Sequence, residues 1–231
     1  MPLYALSTIP LIKELSSQSM VQQVWYADDS AAAGSISDIK QWWSALVSHG
    51  PSYGYFVNDF KTWLVVKKEA EALARDFFKD SSINITTEGR PYLGAPLGTL
   101  SFIHDFVSTK VEHWRSVLSL LSDISSSSPH AAYAAFTHGI SNLWLFLCRT
   151  TPNICHLLEP LEDLIRSKLI PSLTGRTAPN DLERKLVALP VRLGGLQLIS
   201  PITLHQEFEA SQRLTQPLTS LLTDQSLNFL I

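Results

Sequence analysis

Leu3, Leu6, Ile9, Ile12 and Leu15 recur at steps of three, and this spacing predicts a helix over residues 2–17 that Pro10 should kink or restart. The pattern then changes. Val21, Val24, Trp25 and Tyr26 are β-branched or aromatic, and Ala27-Asp28-Asp29-Ser30 supplies turn formers, so a hairpin is expected with carboxylates at its tip and the first helix beneath it. After Gly34, Ser35 or Ser37 can cap a helix carrying Ile39, Trp42, Trp43, Leu46 and Val47, which His49-Gly50-Pro51 ends. Thr62-Trp63-Leu64-Val65-Val66 is a continuous apolar run, expected of a central strand buried on both faces. Helical spacing returns through Leu73, Phe77 and Phe78 over residues 69–78, and short strands are expected at Ile83–Thr86 and Pro91–Leu93. Residues 102–124, 130–149 and 154–170 read as three helices, with Ser125–Pro129 and Thr150–Pro152 as turns between them. The first hundred residues are thus α/β in pattern and the next seventy all-helical, with a boundary near Thr99.

Composition adds limits. With 231 residues and 45% hydrophobic side chains, the chain is long enough to bury a sizeable core. The net charge of −3 is spread evenly, 8 Lys/Arg against 10 Asp/Glu in residues 1–100 and 10 against 11 in residues 101–231, so no basic domain announces nucleic acid. Cys148 and Cys155 lack the further ligands of a zinc site and read as buried thiols of a reducing compartment. No basic leader with a cleavage site opens the chain, and Leu143-Trp144-Leu145-Phe146-Leu147 is far too short to span a bilayer, so an intracellular chain with no membrane partner is expected, nuclear or cytoplasmic.

The chemistry is concentrated in Tyr26-Ala27-Asp28-Asp29. Adjacent carboxylates repel, and both stay ionised at least cost when a cation lies beside them; magnesium, a hard ion that also binds substrate phosphates, suits such a pair. Elsewhere the candidates are weaker. His104, His113, His130, His138, His156 and His205 have no paired nucleophile, Trp42, Trp43, Trp114 and Trp144 sit at core spacings, and Arg115, Arg149, Arg166 and Lys168 alternate with acids as helix-surface charge does.

Four motifs, in order, resemble the reverse transcriptase domain of retroelements of the non-LTR and tyrosine-recombinase kind. Tyr26-Ala27-Asp28-Asp29 matches the aromatic-x-Asp-Asp box, the third palm motif; Asn58-Asp59-Phe60-Lys61-Thr62, after Gly54-Tyr55-Phe56, resembles the fourth; Tyr92-Leu93-Gly94 looks like the fifth, a hairpin holding the primer end; and Leu189-Pro190-Val191-Arg192-Leu193-Gly194-Gly195-Leu196 is similar to a stretch common downstream of the thumb. That last stretch also reads as a tight turn with close backbone packing.

The resemblance implies an α+β fold: a partial polymerase palm over residues 1–99, an antiparallel sheet with packed helices, then a helical thumb-like region at 100–175 and a connection-like segment at 176–231, whose last dozen residues should fray. It implies RNA-templated DNA synthesis by two-metal nucleotidyl transfer with Mg2+, or Mn2+ in its place. The partners would be an RNA template, a DNA primer, a dNTP and other domains of a retroelement polyprotein. Asp28 would be the principal metal ligand, with Asp29 beside it and Ala27 and Asn58 supporting the motifs. Lys61 would meet charge on the leaving pyrophosphate, and Tyr26, Tyr92, Leu93 and Gly94 would touch nucleic acid or the backbone beside it. The family's other metal-binding aspartate and its Gln-containing motif have no counterpart before Tyr26, where Glu14 is the sole acid. The chain is therefore expected to begin within a palm, without fingers, and to be inactive in isolation. The alternative is a non-catalytic nucleic-acid or protein interaction module derived from such an element.

Overall fold

The computed structural model describes residues 2–214 and 228–230, which fall into two compact units. The first holds the described residues of Met1–Tyr92, Leu97–Thr99 and Pro217–Ile231; the second holds those of Leu93–Pro96 and Leu100–Gln216. Helices and sheet are mixed, so the architecture is α+β at this level.

In the first unit, α1 (Pro2–Gln18) runs through Pro10 without a break. Proline removes the bond to the Leu6 carbonyl, but Leu6 and Ile9 are exposed, so water can satisfy that group. Their exposure also corrects the expected stripe. A step of three drifts off one face of a 3.6-residue helix, and the buried face is instead Thr8, Leu11 and Leu15. β1 (Gln22–Tyr26) and β2 (Asp29–Gly34) form an antiparallel hairpin, and α2 (Ile36–His49) follows, with the Ser35 hydroxyl accepting from the Asp38 N–H at 3.2 Å. Ile39, Trp42, Trp43 and Leu46 are buried as expected, while Val47 faces outward at 43% exposure.

β3 (Trp63–Val65), α3 (Glu71–Phe77) and β4 (Asn84–Thr86) form a strand-helix-strand unit, and β3 pairs with β4 in parallel. The sheet is therefore mixed rather than antiparallel, because a helical crossover, not a hairpin, joins those two strands. Its order is β1-β2-β7-β3-β4, in which β7 is Asn228–Leu230. Of the last dozen residues, expected to fray, these three form a central strand and the rest lie outside the described residues. β5 (Gly89–Tyr92) and β6 (Ala95–Gly98) make a separate hairpin. Its turn residues Leu93 and Gly94 both have positive φ, 48° and 87°, as a type I′ turn requires.

One side chain ties this unit together. The Gln23 carboxamide donates to the Ile12 carbonyl at 3.0 Å and to Ser16 Oγ at 2.5 Å, and accepts from the Trp25 indole at 3.0 Å and the Trp42 indole at 3.1 Å. All four of its bonds are made, one set reaching α1 and another α2.

The second unit is helical: α4 (Leu100–Ser125), α5 (Pro129–His138), α6 (Leu145–Thr150), α7 (Glu159–Leu164), α8 (Ile170–Thr174), α9 (Asp181–Ala188) and α10 (Pro201–Leu214). Val107, Val111, Trp114, Leu118 and Leu121 of α4 line one buried stripe against Phe136, Trp144, Leu158 and Leu161. The expected helix over 130–149 is interrupted at Gly139, whose φ and ψ of −126° and −72° end α5. The expected helix over 154–170 contains a π turn at Ile165–Leu169 just ahead of Pro171, which cannot donate an intrahelical bond. Residues 176–214 pack into this unit instead of forming a separate segment. The buried Arg184 guanidinium grips Glu162 at 2.6 and 2.9 Å and donates to the Leu198 carbonyl at 2.6 Å. Gly195 allows a close turn, since a Cβ there would strike the Leu189 carbonyl. Burial pushes the Cys148 thiol up to about 12, and burial also raises Cys155; both are free.

Gln23→Ala leaves two indole N–H groups and the Ile12 carbonyl without their partner. Urea denaturation should show a loss of about 2–3 kcal/mol; a loss indistinguishable from an exposed-site substitution would remove Gln23 from this role.

Candidate functional site

The β1–β2 ladder runs to the pair Tyr26 and Asp29, leaving Ala27 and Asp28 as a two-residue turn. Of those two, only Ala27 has positive φ, 54°, as the first position of a type II′ turn requires. This puts Asp28 at the tip and Asp29 at the start of β2, both exposed. The backbone beneath them is held by Tyr55. Its hydroxyl donates to the Asp28 carbonyl at 3.1 Å and lies 2.9 Å from the Ser30 hydroxyl, which then acts as donor. Its ring packs edge-on to Trp25 with centroids 5.2 Å apart.

The second strip of the site comes from residues 50–62. Gly54, at φ 75°, reverses the chain so that the Tyr55 N–H bonds the Gly50 carbonyl at 2.9 Å. Asn58 then caps a short 3-10 turn at Asp59–Lys61, its Oδ1 accepting from the Lys61 N–H at 3.3 Å. Thus the Asn-x-x-Lys spacing has a structural cause: the asparagine ends the extended segment and the turn aims the lysine as the chain enters β3. Asp28, Asp29, Ser30, Tyr55, Asn58 and Lys61 line one cavity of about 490 Å³.

Tyr92 approaches the same groups. Arg90 stacks over the Trp63 ring at 4.3 Å, fixing β5 near β3. Tyr92 Oη is buried and has no hydrogen-bond partner. Burial first, then the negative charge of Asp29, raises its phenol above the ordinary range. Burial likewise raises Tyr55, opposed by the Ser30 hydrogen bond, and burial and Asp28 raise Tyr4, which also lines the cavity.

Not every expected residue arrives. Tyr26 is 62% exposed and does not line the cavity, because alternation turns it outward at the end of β1; Tyr55 supports the turn backbone in its place. Leu93 and Gly94 fall in the second unit, where a Cβ on Gly94 would meet Phe146 at 3.4 Å. The helical cations are engaged locally: Arg115 with Glu112, Arg166 with Asp181, and Lys168 with Asp123 and Ser119, while Arg149 lies over Phe208. His205 is fully buried beside the Cys148 carbonyl and Glu209, and His104 stacks on His156.

Two carboxylates are enough for magnesium when waters and substrate phosphates complete its shell. Among the described residues there is no group of three or more His, Cys, Asp or Glu side chains that could hold a metal ion, so the set is short of what two bridged ions require. Tyr55 and Ser30 were absent from the expected site; the signal for them was the Gly50-Pro51 and Gly54 bend, which the motif spacing did not use. No family model, curated protein or solved structure matches this chain. No helix among the described residues is long and apolar enough to cross a membrane.

Two outcomes follow from this geometry. Ala27→Gly should stabilise the hairpin by about 1 kcal/mol in thermal or urea unfolding, because glycine adopts positive φ without a Cβ clash; unchanged stability would place Ala27 outside the left-handed region. The raised Tyr55 phenol also sets a pH dependence. A folded value above the ordinary 10.0 means stability is fully present below that pH and falls as pH rises through the folded value. Tyr55→Phe should flatten part of that alkaline fall, and an identical fall in the variant would assign the titration elsewhere.

Proposed function

We propose that the first unit is part of a polymerase palm of the reverse transcriptase kind and that the cavity at Asp28 and Lys61 binds the triphosphate of a dNTP through a divalent cation. The observation carrying this reading is that two segments some thirty residues apart, Asp28-Asp29 and Asn58-x-x-Lys61, line one cavity. Nothing in their local structures requires them to share it.

Each residue then has a defined task. Asp28 and Asp29 supply anionic oxygens on a turn whose backbone Tyr55 holds, so the carboxylates are presented without a search through loop conformations. Lys61 carries the positive charge suited to the outer phosphates and the developing pyrophosphate, from a turn that Asn58 fixes. Tyr92 lies near Asp29 behind the cavity wall, its phenol oxygen buried. Magnesium or manganese, when bound, would neutralise phosphate charge and lower the barrier to attack by a primer hydroxyl. RNA template and DNA primer are the partners on this reading, and the helical unit is its thumb-like part. With Asp28 and Asp29 the carboxylates that line the cavity, this set is short of what both ions of the full reaction require.

Titration of Mn2+ and dATP, followed by the loss of the free-ion electron paramagnetic signal, tests this. Asp28→Ala and Asp29→Ala should each weaken Mn2+·dATP binding by about tenfold or more, which corresponds to roughly 1.4 kcal/mol. Lys61→Ala should weaken dATP and leave Mn2+ alone unchanged. The chain by itself should not extend a primer. Equal binding by all variants would overturn the reading. If primer-template then still bound, with steep salt dependence and no effect of Asp28→Ala, the non-catalytic interaction module would stand in its place.

A further inference from the structure

Leu189 and Pro190, in a stretch to which the polymerase reading gives no task, line a second cavity of about 590 Å³ that lies wholly within the helical unit. Arg184 lines it as well. Of the five N–H donors of that guanidinium, two go to the Glu162 carboxylate and one to the Leu198 carbonyl. The other two have no partner among the described residues, although the side chain is only 7% exposed. A buried donor without an acceptor is costly, and a ligand oxygen in the cavity can meet it.

The Arg184 bond to Leu198 also arranges the lining. Leu198 stands two residues before Ser200, so the middle of α9 meets the start of α10, where Ser200 Oγ accepts from the Thr203 N–H at 3.4 Å. Arg184, Lys185, Ser200 and Thr203 thus gather donors at a helix start, where the dipole also favours negative charge. Glu207 lies two turns further along α10, about 10 Å at a rise of about 1.5 Å per residue. The remaining acids of the lining are matched, Glu162 with Arg184 and Asp181 with Arg166 at 2.8 Å. Lys185 and Glu207 are left without a charged partner among the described residues. Ala188, Leu189, Pro190 and Ile199 supply the apolar wall.

We propose that this cavity binds a short apolar peptide as a zwitterion, with its C-terminal carboxylate on Arg184 and Lys185 at the start of α10 and its terminal ammonium on Glu207. Charge and length select that ligand. An anion with a plain hydrocarbon tail leaves Glu207 beside apolar atoms, and a free amino acid, with both charges on one carbon, does not reach both ends. An extended chain of about three residues spans about 10 Å and does. Its side chains meet the apolar wall, as ligands of cavities this size do. Arg184 already holds one peptide carbonyl, that of Leu198, by the same bond it would offer the ligand. This cavity shares no residue with the one at Asp28, so the two readings stand or fall separately.

Isothermal titration calorimetry of the full chain with Leu-Ala-Leu, its N-acetyl form and its C-terminal amide is the test. The free peptide should bind with a Kd of roughly 0.1–1 mM. The amide, which loses the carboxylate, should bind about tenfold more weakly, and the acetylated form, which loses the ammonium, about threefold. Lys185 and Glu207 are exposed, so substitutions there leave the core intact. Lys185→Met should weaken the free peptide about threefold and leave the amide unchanged, whereas Glu207→Gln should weaken the free peptide and leave the acetylated form unchanged. Hydrogen exchange should slow at residues 197–204 when the peptide is bound. No heat with any of the three at millimolar concentration, equal binding by all three, or binding indifferent to both substitutions overturns the proposal.

Discussion

The geometry of the first unit depends on satisfying one half-buried carboxamide. Gln23 lies in an outer strand, yet its donors go to α1 and its acceptor oxygen takes both the Trp25 and the Trp42 indole. Trp42 can be buried and Trp25 half-buried there because their N–H groups find this acceptor. Trp42 is then locked into the core between α2 and the sheet, and Trp25 forms the ring face on which Tyr55 rests. Tyr55 in turn carries the hydrogen bond to the Asp28 carbonyl. A chain of hydrogen bonds and ring contacts thus links a half-buried amide to the position of an exposed carboxylate.

That arrangement separates rigidity from reactivity. Asp28 and Asp29 are exposed, and Lys61 is exposed as well, so none of the charged groups bears the desolvation cost of a buried ion. Their positions are set instead through backbone: a two-residue turn for the carboxylates and an asparagine-capped 3-10 turn for the lysine. A cation and a polyphosphate could enter such a site with their own hydration partly intact, which suits magnesium's reluctance to shed water. Among the described residues near the carboxylates, the buried Tyr92 hydroxyl without a partner is the polar cost that the fold bears there.

Much of this was legible in the chain, for identifiable reasons. The hairpin was readable because Val24, Trp25 and Tyr26 stop at turn formers, α2 because Ser35 and Gly50 bracket a 3.6-residue apolar stripe, and β3 because Leu64 and Val65 are buried on both faces. Local signals failed where tertiary packing decides. Ala31, Ala32 and Ala33 favour helix by propensity, and it is the turn ahead of them that makes them the second arm of the hairpin, all three buried and Ala32 in the core with Ile39, Trp42 and Leu46. The break at Gly139 and the π turn before Pro171 were hidden inside apolar runs that continue across them. At the site, motif spacing named Asp28, Asp29, Asn58 and Lys61, which line one cavity, and it passed over Tyr55, whose role depends on a loop folding back from Gly54.

The strand order was the least legible feature, because β7 pairs across more than 160 residues of sequence with β3 and has only three residues to signal it. Nothing local marks Asn228-Phe229-Leu230 as the centre of a sheet. Yet the order follows from a general constraint. β2 and β3 each present a row of backbone donors and acceptors that no neighbour in sequence can meet: β2 is already joined to β1 on one side and β3 to β4 on the other. Leaving that gap open would bury unpaired peptide groups beneath α2 or expose two facing strand edges to other chains. Some strand has to fill it, and the sheet sets only that strand's direction, its apolar face and its length. Asn228–Leu230 meets the requirement of direction, pairing with Gly34 to Ala32 of β2 and with Val65 and Leu64 of β3, and so joins the two halves of the sheet.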